Sequence, residues 1–269
     1  MPARSRRRVS SASVAGLVLG LAFLGTSWVA GHGVRGPVDQ PATRQLVDIV
    51  DATALSQPAV RARTSSGTRG TTSPRPDRVV EPDRAWVRRT AHRTGIPVVA
   101  VRAYGRASLL AARSRPGCGL GWTTLAAIGQ VESAHGTQGG ARLLPDGRTS
   151  TPVLGPALDG EGGVAAIRSD AEGQRLHGDA TWDHAVGPMQ FLMSSWRVFG
   201  ADADGDGVAD PTDIDDAAWA AARHLCAGGV DLRSGRGWTQ AVLGYNASGE
   251  YVRSVFDVAT RYARAAARS

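Results

Sequence analysis

The chain contains no lysine: all 31 of its basic residues are arginine. Together with abundant alanine and glycine this marks a compositional bias, and it implies no mechanism. Where positive charge is missing says more. Residues 1–115 hold 19 Arg against 6 acidic residues, a net of +13, whereas residues 116–269 hold 12 Arg against 18, a net of −6. A nucleic-acid binder carries its positive charge on the folded surface, so no nucleic-acid partner is expected. Strand-type alternation is weak throughout, which leaves a mainly α chain, and no internal repeat suggests a solenoid. The six histidines show no pairing at zinc-ligand intervals. Cysteine is limited to Cys118 and Cys226, so none lies near the N-terminus to carry a lipid.

The N-terminus does have a targeting pattern. Arg4, Arg6, Arg7 and Arg8 precede VAGLVLGLAFLGTSWVA, Val14 to Ala30, a run without a charged residue. Basic residues ahead of an apolar run hold that end in the cytoplasm and send the rest of the chain outward. Residues 1–13 read as a basic cytoplasmic end. Residues 14–30 read either as a transmembrane anchor, slightly short, with Trp28 at the outer interface, or as a signal peptide cleaved near Ala30 or Gly31. Both readings export the protein to the envelope side of the membrane, and the first adds the membrane as a partner. In an oxidising compartment Cys118 and Cys226 are expected to form a disulfide. They lie 108 residues apart, and closing so long a loop is worth about 4–5 kcal/mol in the chain-entropy model.

Residues 31–81 are rich in Arg, Ser, Thr and Pro, have no sustained period and few large apolar groups. Such a segment buries too little surface to offset the entropy of ordering, and it reads as a disordered linker. Its arginines suit either attraction to anionic lipids or wall polymers, or simple solubilisation. A mainly α domain is expected over 82–269. PDRAWVRRTAHRTG reads as a helix with Asp83 as its cap and Gly95 after it. Pro97 opens a second helix through Arg113, and Trp122–His135 forms a third. Residues 137–186 are loop-rich. Helical patterns return at Pro188–Phe199, Asp215–Ala227, Trp238–Tyr245 and Glu250–Ala267.

Three stretches carry candidate chemistry. In LAAIGQVESAHG, Leu125, Ile128, Gly129 and Glu132 share one helical face. A carboxylate near a helix C-terminus meets the negative end of the macrodipole, and apolar neighbours desolvate it. Both raise its pKa, as a general acid requires; the plainer alternative is a salt bridge at a helix end. In AVGPMQFLMSSW, Pro188 starts a helix and sets Gln190 in its first turn, where its amide reaches a ligand or caps the helix. In GYNASGEY, Tyr245, Asn246 and Tyr251 supply hydrogen bonds and aromatic faces. Asn246-Ala247-Ser248 also matches a glycosylation acceptor.

The series ESAHG, GPMQF and YNAS, with a tyrosine five residues after the Asn, resembles the lytic murein transglycosylases of the membrane-bound B type over roughly Pro82 to the C-terminus. The resemblance implies a lysozyme-like α fold with a groove for peptidoglycan glycan strands, in a monomer. It implies Glu132 as the sole catalytic acid and base, with Ser133, Met189, Gln190, Tyr245, Asn246 and Tyr251 binding substrate. Trp182 and Asp183, just upstream of GPMQF, are further groove candidates. Gly244 departs mildly from the family pattern, in which Ala is common before the Tyr-Asn pair. The implied reaction cleaves the N-acetylmuramic acid–N-acetylglucosamine bond without water and leaves a 1,6-anhydro end. A hydrolase would need a second carboxylate, and Asp146, Asp159, Asp179 and Asp183 all lie in the loop-rich middle.

A fourth stretch, DADGDGVADPTD, places Asp202, Asp204, Asp206, Asp210 and Asp213 at positions 1, 3, 5, 9 and 12 of an EF-hand-like loop. Gly207 falls at the sharp turn, and Val208 offers a carbonyl at position 7. Five like charges this close repel unless a cation sits among them. A structural Ca2+ is expected, weakened by Asp rather than Glu at the closing position. Two other functions fit the composition: a wall-binding module without turnover, and a calcium-dependent extracellular adaptor.

Overall fold

The computed structural model describes residues 80–162 and 165–268. The basic end, the apolar segment and nearly all of the linker lie outside them. Val80 and Glu81, which the composition assigns to the linker, already pack on the domain. Val80 is buried, its carbonyl accepts from Arg106 Nε at 3.3 Å, and Glu81 pairs with the Arg106 guanidinium.

Eight α-helices make up the described chain: α1 Arg84–Thr94, α2 Val98–Ser114, α3 Trp122–Ser133, α4 Ala171–His177, α5 Met193–Phe199, α6 Ile214–Leu225, α7 Gly235–Tyr245 and α8 Gly249–Ala267. Local chemistry sets several ends. Asp83 accepts from the Trp86 N–H at 2.8 Å to start α1, and Gly95, at φ 73°, closes it. Ser234 and Ser248 cap α7 and α8 in the same way. None of the described helices is long and apolar enough to cross a membrane.

The most extensive helix pair is α2 with α6. On α6, Ile214, Ala217, Ala218, Ala221, Ala222 and Leu225 recur at i, i+3, i+4, i+7, i+8 and i+11, and all are buried. Ala100, Ala103, Ala107 and Ala111 answer them from α2, and such small side chains let two helices approach closely. At one end of this seam Asp215, fully buried, pairs with Arg102 and Arg106 at 2.8 Å each. At the other the disulfide Cys118–Cys226, with Cα atoms 5.5 Å apart, fastens the turn after α2 to the end of α6. Helix α3 is buried on every side from Trp122 to Gly129, and it packs against α2, α6 and α8.

The loop-rich middle is stitched by isolated antiparallel bridges, among them Leu154↔Val186, Arg168↔Trp182 and Val186↔Phe191. It has its own small core of Leu158, Ala185 and Leu192, with Ile167 against it. One expectation fails here. Pro188 does not open a helix; α5 begins only at Met193. Val186 and Phe191 exchange backbone hydrogen bonds at 2.9 and 3.0 Å, and the Gln190 N–H donates to Gly187 O at 3.1 Å. Residues 187–190 are therefore a tight hairpin turn with Pro188 at its second position, a place that suits proline's fixed φ as well as a helix start does. Gly187 is required there: its φ is 78°, and a Cβ would lie 1.9 Å from the Pro211 carbonyl oxygen.

Candidate active site

Glu132 is the last residue but one of α3. The helix stops abruptly because Ala134 and His135 both take left-handed backbone conformations, at φ 50° and 62°. Their N–H groups return to Gln130 O and Gly129 O at 3.1 and 2.8 Å. A buried relay holds this stop. Tyr104 Oη lies 2.9 Å from His135 Nδ1, His135 Nε2 lies 2.9 Å from Tyr262 Oη, and Tyr262 Oη–H donates to Gln130 Oε1 at 2.9 Å. Because Tyr262 spends its proton on Gln130, it accepts from His135, which fixes the Nε2–H tautomer and leaves Nδ1 to accept from Tyr104. Burial holds the His135 pKa at about 4, so the ring is neutral. Gly129 makes room for the relay, since a Cβ there would lie 2.0 Å from Tyr104 Oη.

The Glu132 carboxyl is walled by protein on most sides and opens into a cleft. Desolvation raises its pKa to about 7, against the opposing effect of Tyr251, whose Oη–H donates to Glu132 Oε1 at 2.5 Å. Burial likewise holds the Tyr251 hydroxyl well above its ordinary pKa, so it remains a donor. From the hairpin and α5, Gln190, Phe191, Leu192 and Ser195 line the cleft; α6 and α7 contribute His224 and Tyr245.

The residues singled out in the sequence divide into two groups. Glu132, Gln190, Tyr245 and Tyr251 meet at or beside the cleft. Gln190, at φ 50°, has its amide fixed by donation to Gly187 O at 2.9 Å and Val153 O at 3.3 Å. Tyr245 is braced by donation to Met189 O at 2.7 Å. Ser133 and Met189 are buried beneath the site instead of lining it. Ser133 Oγ donates to Pro188 O at 2.6 Å and accepts from the Gly136 N–H at 2.7 Å, so it locks the hairpin to the end of α3. Asn246 is also buried, and its Oδ1 has no hydrogen-bond partner among the described residues. Leaving such an oxygen unpaired costs about 1–3 kcal/mol, and a ligand donor would relieve it. Asp183 is buried against His177 at 3.2 Å, and Trp182 lies under the Arg168 guanidinium at 4.2 Å. Asp183 is therefore a buried brace and not a groove residue.

In the acidic loop, part of the expected acidic set comes together. Carboxylate oxygens of Asp202, Asp204 and Asp216 all lie within 4.8 Å of one another. Asp206 and Asp210 are instead drawn toward Arg148, at 4.0 and 3.7 Å, and Val208 is exposed. Asp213 caps α6, accepting from the Asp215 N–H at 2.7 Å. Asp216, in the first turn of α6, is thus the third member of the carboxylate cluster. Asp216 also accepts from Ala203 N at 2.7 Å and Asp210 N at 2.9 Å, which folds the loop around it. Desolvation first, then repulsion from Asp204 and Asp202, raises the Asp216 pKa to about 6 against those two hydrogen bonds. Three hard oxygen donors on a tight loop suit Ca2+. Through the Gly187–Pro211 contact, this loop abuts the hairpin that carries Gln190.

Sequence reasoning passed over His135 and His224. The signal for His224 was its place at the edge of the alanine stripe of α6, three residues after Ala221. No family model, curated protein or solved structure matches this chain.

Proposed function

We propose that this protein is an exported lytic murein transglycosylase with a lysozyme-like α domain. The observation that carries the reading is a single carboxyl, Glu132, raised to a pKa of about 7 in a cleft whose lining includes no second carboxylate among the described residues. A general acid needs a pKa near the working pH. Glu132 protonates the oxygen between N-acetylmuramic acid and N-acetylglucosamine, and an oxocarbenium-like centre develops at muramic C1. The substrate's acetamido group assists, and its own C6 hydroxyl attacks C1. The ionised Glu132 then takes that hydroxyl's proton, so the 1,6-anhydro product forms without water and the acid is restored. Intramolecular attack has a large effective-concentration advantage. Tyr251 favours the ionised form in the second half of the cycle, and Asn246 and Gln190 orient the sugar.

The carboxylates that a hydrolytic reaction would recruit are engaged elsewhere. Asp183 is tied to His177; Asp179 accepts from the Thr181 and Trp182 N–H groups, which first among its contacts hold its pKa at about 2. Asp146 and Asp159 accept from Arg148 N and Glu161 N in local turns. None lines the cleft. Digestion of purified peptidoglycan decides the matter. Anhydro-ended muropeptides from wild type, and none from Glu132→Gln, support the proposal; reducing ends indicate a hydrolase, and no products from either protein indicate a binding module.

As part of the same reading, a structural Ca2+ is held by Asp202, Asp204 and Asp216. Chelation then lowers both melting temperature and activity, and unchanged values for both reject the ion.

A further inference from the structure

The mechanism leaves His224 without a task. Its ring stacks on Phe199, with centroids 4.4 Å apart and planes 14° from parallel, and lies 5.2 Å from the Tyr245 ring. Next to it in sequence, Arg223 Nη1 donates to the Phe199 and Gly200 carbonyls, at 2.5 and 2.8 Å, which holds the stacking partner in place. The imidazole is thus fixed in orientation in the wall of the Glu132 cleft. Neither ring nitrogen bonds to any described residue. An aromatic hydrocarbon ring would satisfy the stack equally well, whereas the imidazole adds two polar nitrogens to a half-buried ring in the cleft lining.

We infer that His224 is a saccharide-recognition residue, whose ring edge exchanges a hydrogen bond with a hydroxyl or acetamido group of the sugar beside Glu132. Burial keeps the ring neutral, with its pKa held at about 4, so it offers one N–H donor and one lone-pair acceptor to the ligand. With Phe199 against a face, the edge is the polar surface the ring presents, and a sugar's hydroxyl and amide groups are matched to such a contact. The inference rests on the reading of the cleft as a glycan site.

Binding of tetra-N-acetylchitotetraose to the Glu132→Gln protein, measured by titration calorimetry, tests it without turnover. The single variant binds the probe. Adding His224→Phe, which preserves the stack, weakens binding roughly three- to tenfold, the worth of one neutral hydrogen bond. Adding His224→Gln, which restores a donor and an acceptor, recovers part of that loss. Equal affinity with Phe and with His overturns the inference and leaves the cleft reading standing. Absence of binding by Glu132→Gln alone overturns the cleft reading and this inference with it. If circular dichroism shows His224→Phe unfolded, the comparison of His224→Gln with His224→Leu decides the same point, and equal affinities reject the inference.

Discussion

Replacing Glu132 by Gln should make the protein more stable, and only at high pH. In the fold the carboxyl has a pKa of about 7, against an ordinary 4.5, with desolvation as the main cause. Below pH 4.5 both the folded and the unfolded chain hold it protonated, and Glu differs little from Gln. Between 4.5 and 7 the unfolded chain ionises while the folded one retains its proton, so stability falls as pH rises through that window. Above 7 the fold carries a poorly solvated carboxylate. The full displacement is equivalent to about 3 kcal/mol; with allowance for the solvent that reaches the side chain, about 1–2 kcal/mol remains. Since 1 kcal/mol moves the melting temperature of a domain this size by about 2–4 °C, the Gln variant should melt about 3–6 °C higher at pH 8 and alike at pH 4. Thermal melts followed by circular dichroism across that range give the answer. An offset independent of pH, or a Gln variant less stable than wild type at pH 8, refutes the account of Glu132 as a desolvated acid.

On the proposed function, Tyr251→Phe removes the donor that favours the ionised carboxylate, so the Glu132 pKa rises further and the pH–rate profile moves up by about one unit; an unmoved profile removes Tyr251 from the proposed mechanism. Gly129→Ala drives a methyl group to 2.0 Å from Tyr104 Oη and should cost about 1–3 kcal/mol, seen as a lower urea midpoint. An unchanged midpoint would contradict that packing. His135→Phe leaves Tyr104 and Tyr262 facing a ring with no nitrogen, at a cost of about 2–3 kcal/mol. Burial holds the His135 pKa at about 4 against an ordinary 6.5, so as pH falls below 6.5 the unfolded wild type gains a proton that the fold refuses, whereas the Phe variant does not titrate. The loss should therefore be smaller at pH 5.5 than at pH 8, by about 1 kcal/mol. A loss that grows toward low pH would mean that the relay carries charge.

Whatever is decided within one or two turns of chain was legible in the sequence. Asp83 and Gly95 bound α1 as expected, and the Glu132 face, the Trp122 start and the pairing of Cys118 with Cys226 all come from local pattern or simple chemistry. Errors occur where one residue suits two backbones. Gly187-Pro188 fits a helix start and a hairpin turn alike, and the choice is made by distant partners, Phe191 across the bridge and Pro211 beneath the glycine. In the acidic loop the spacing does bring Asp202 and Asp204 together, while Asp216 joins them from the first turn of α6, outside the twelve-residue span. Ser133 and Met189 stand beside Glu132 and Gln190 in sequence and under them in space, a distinction made by packing alone.

The alanine seam between α2 and α6 has a consequence for how the domain tolerates change. Methyl groups facing methyl groups leave no slack: a side chain enlarged by even two carbons, as in Ala221→Val, wedges the pair apart. Helix α6 carries Asp216 at one end and His224 and Cys226 at the other, while α2 carries Tyr104 to the relay behind Glu132. Prying open that contact would tilt the acidic loop, the cleft wall and the helix stop together. Ordinary drift at these alanines is thereby coupled to the surroundings of Glu132, although none of them touches the cleft.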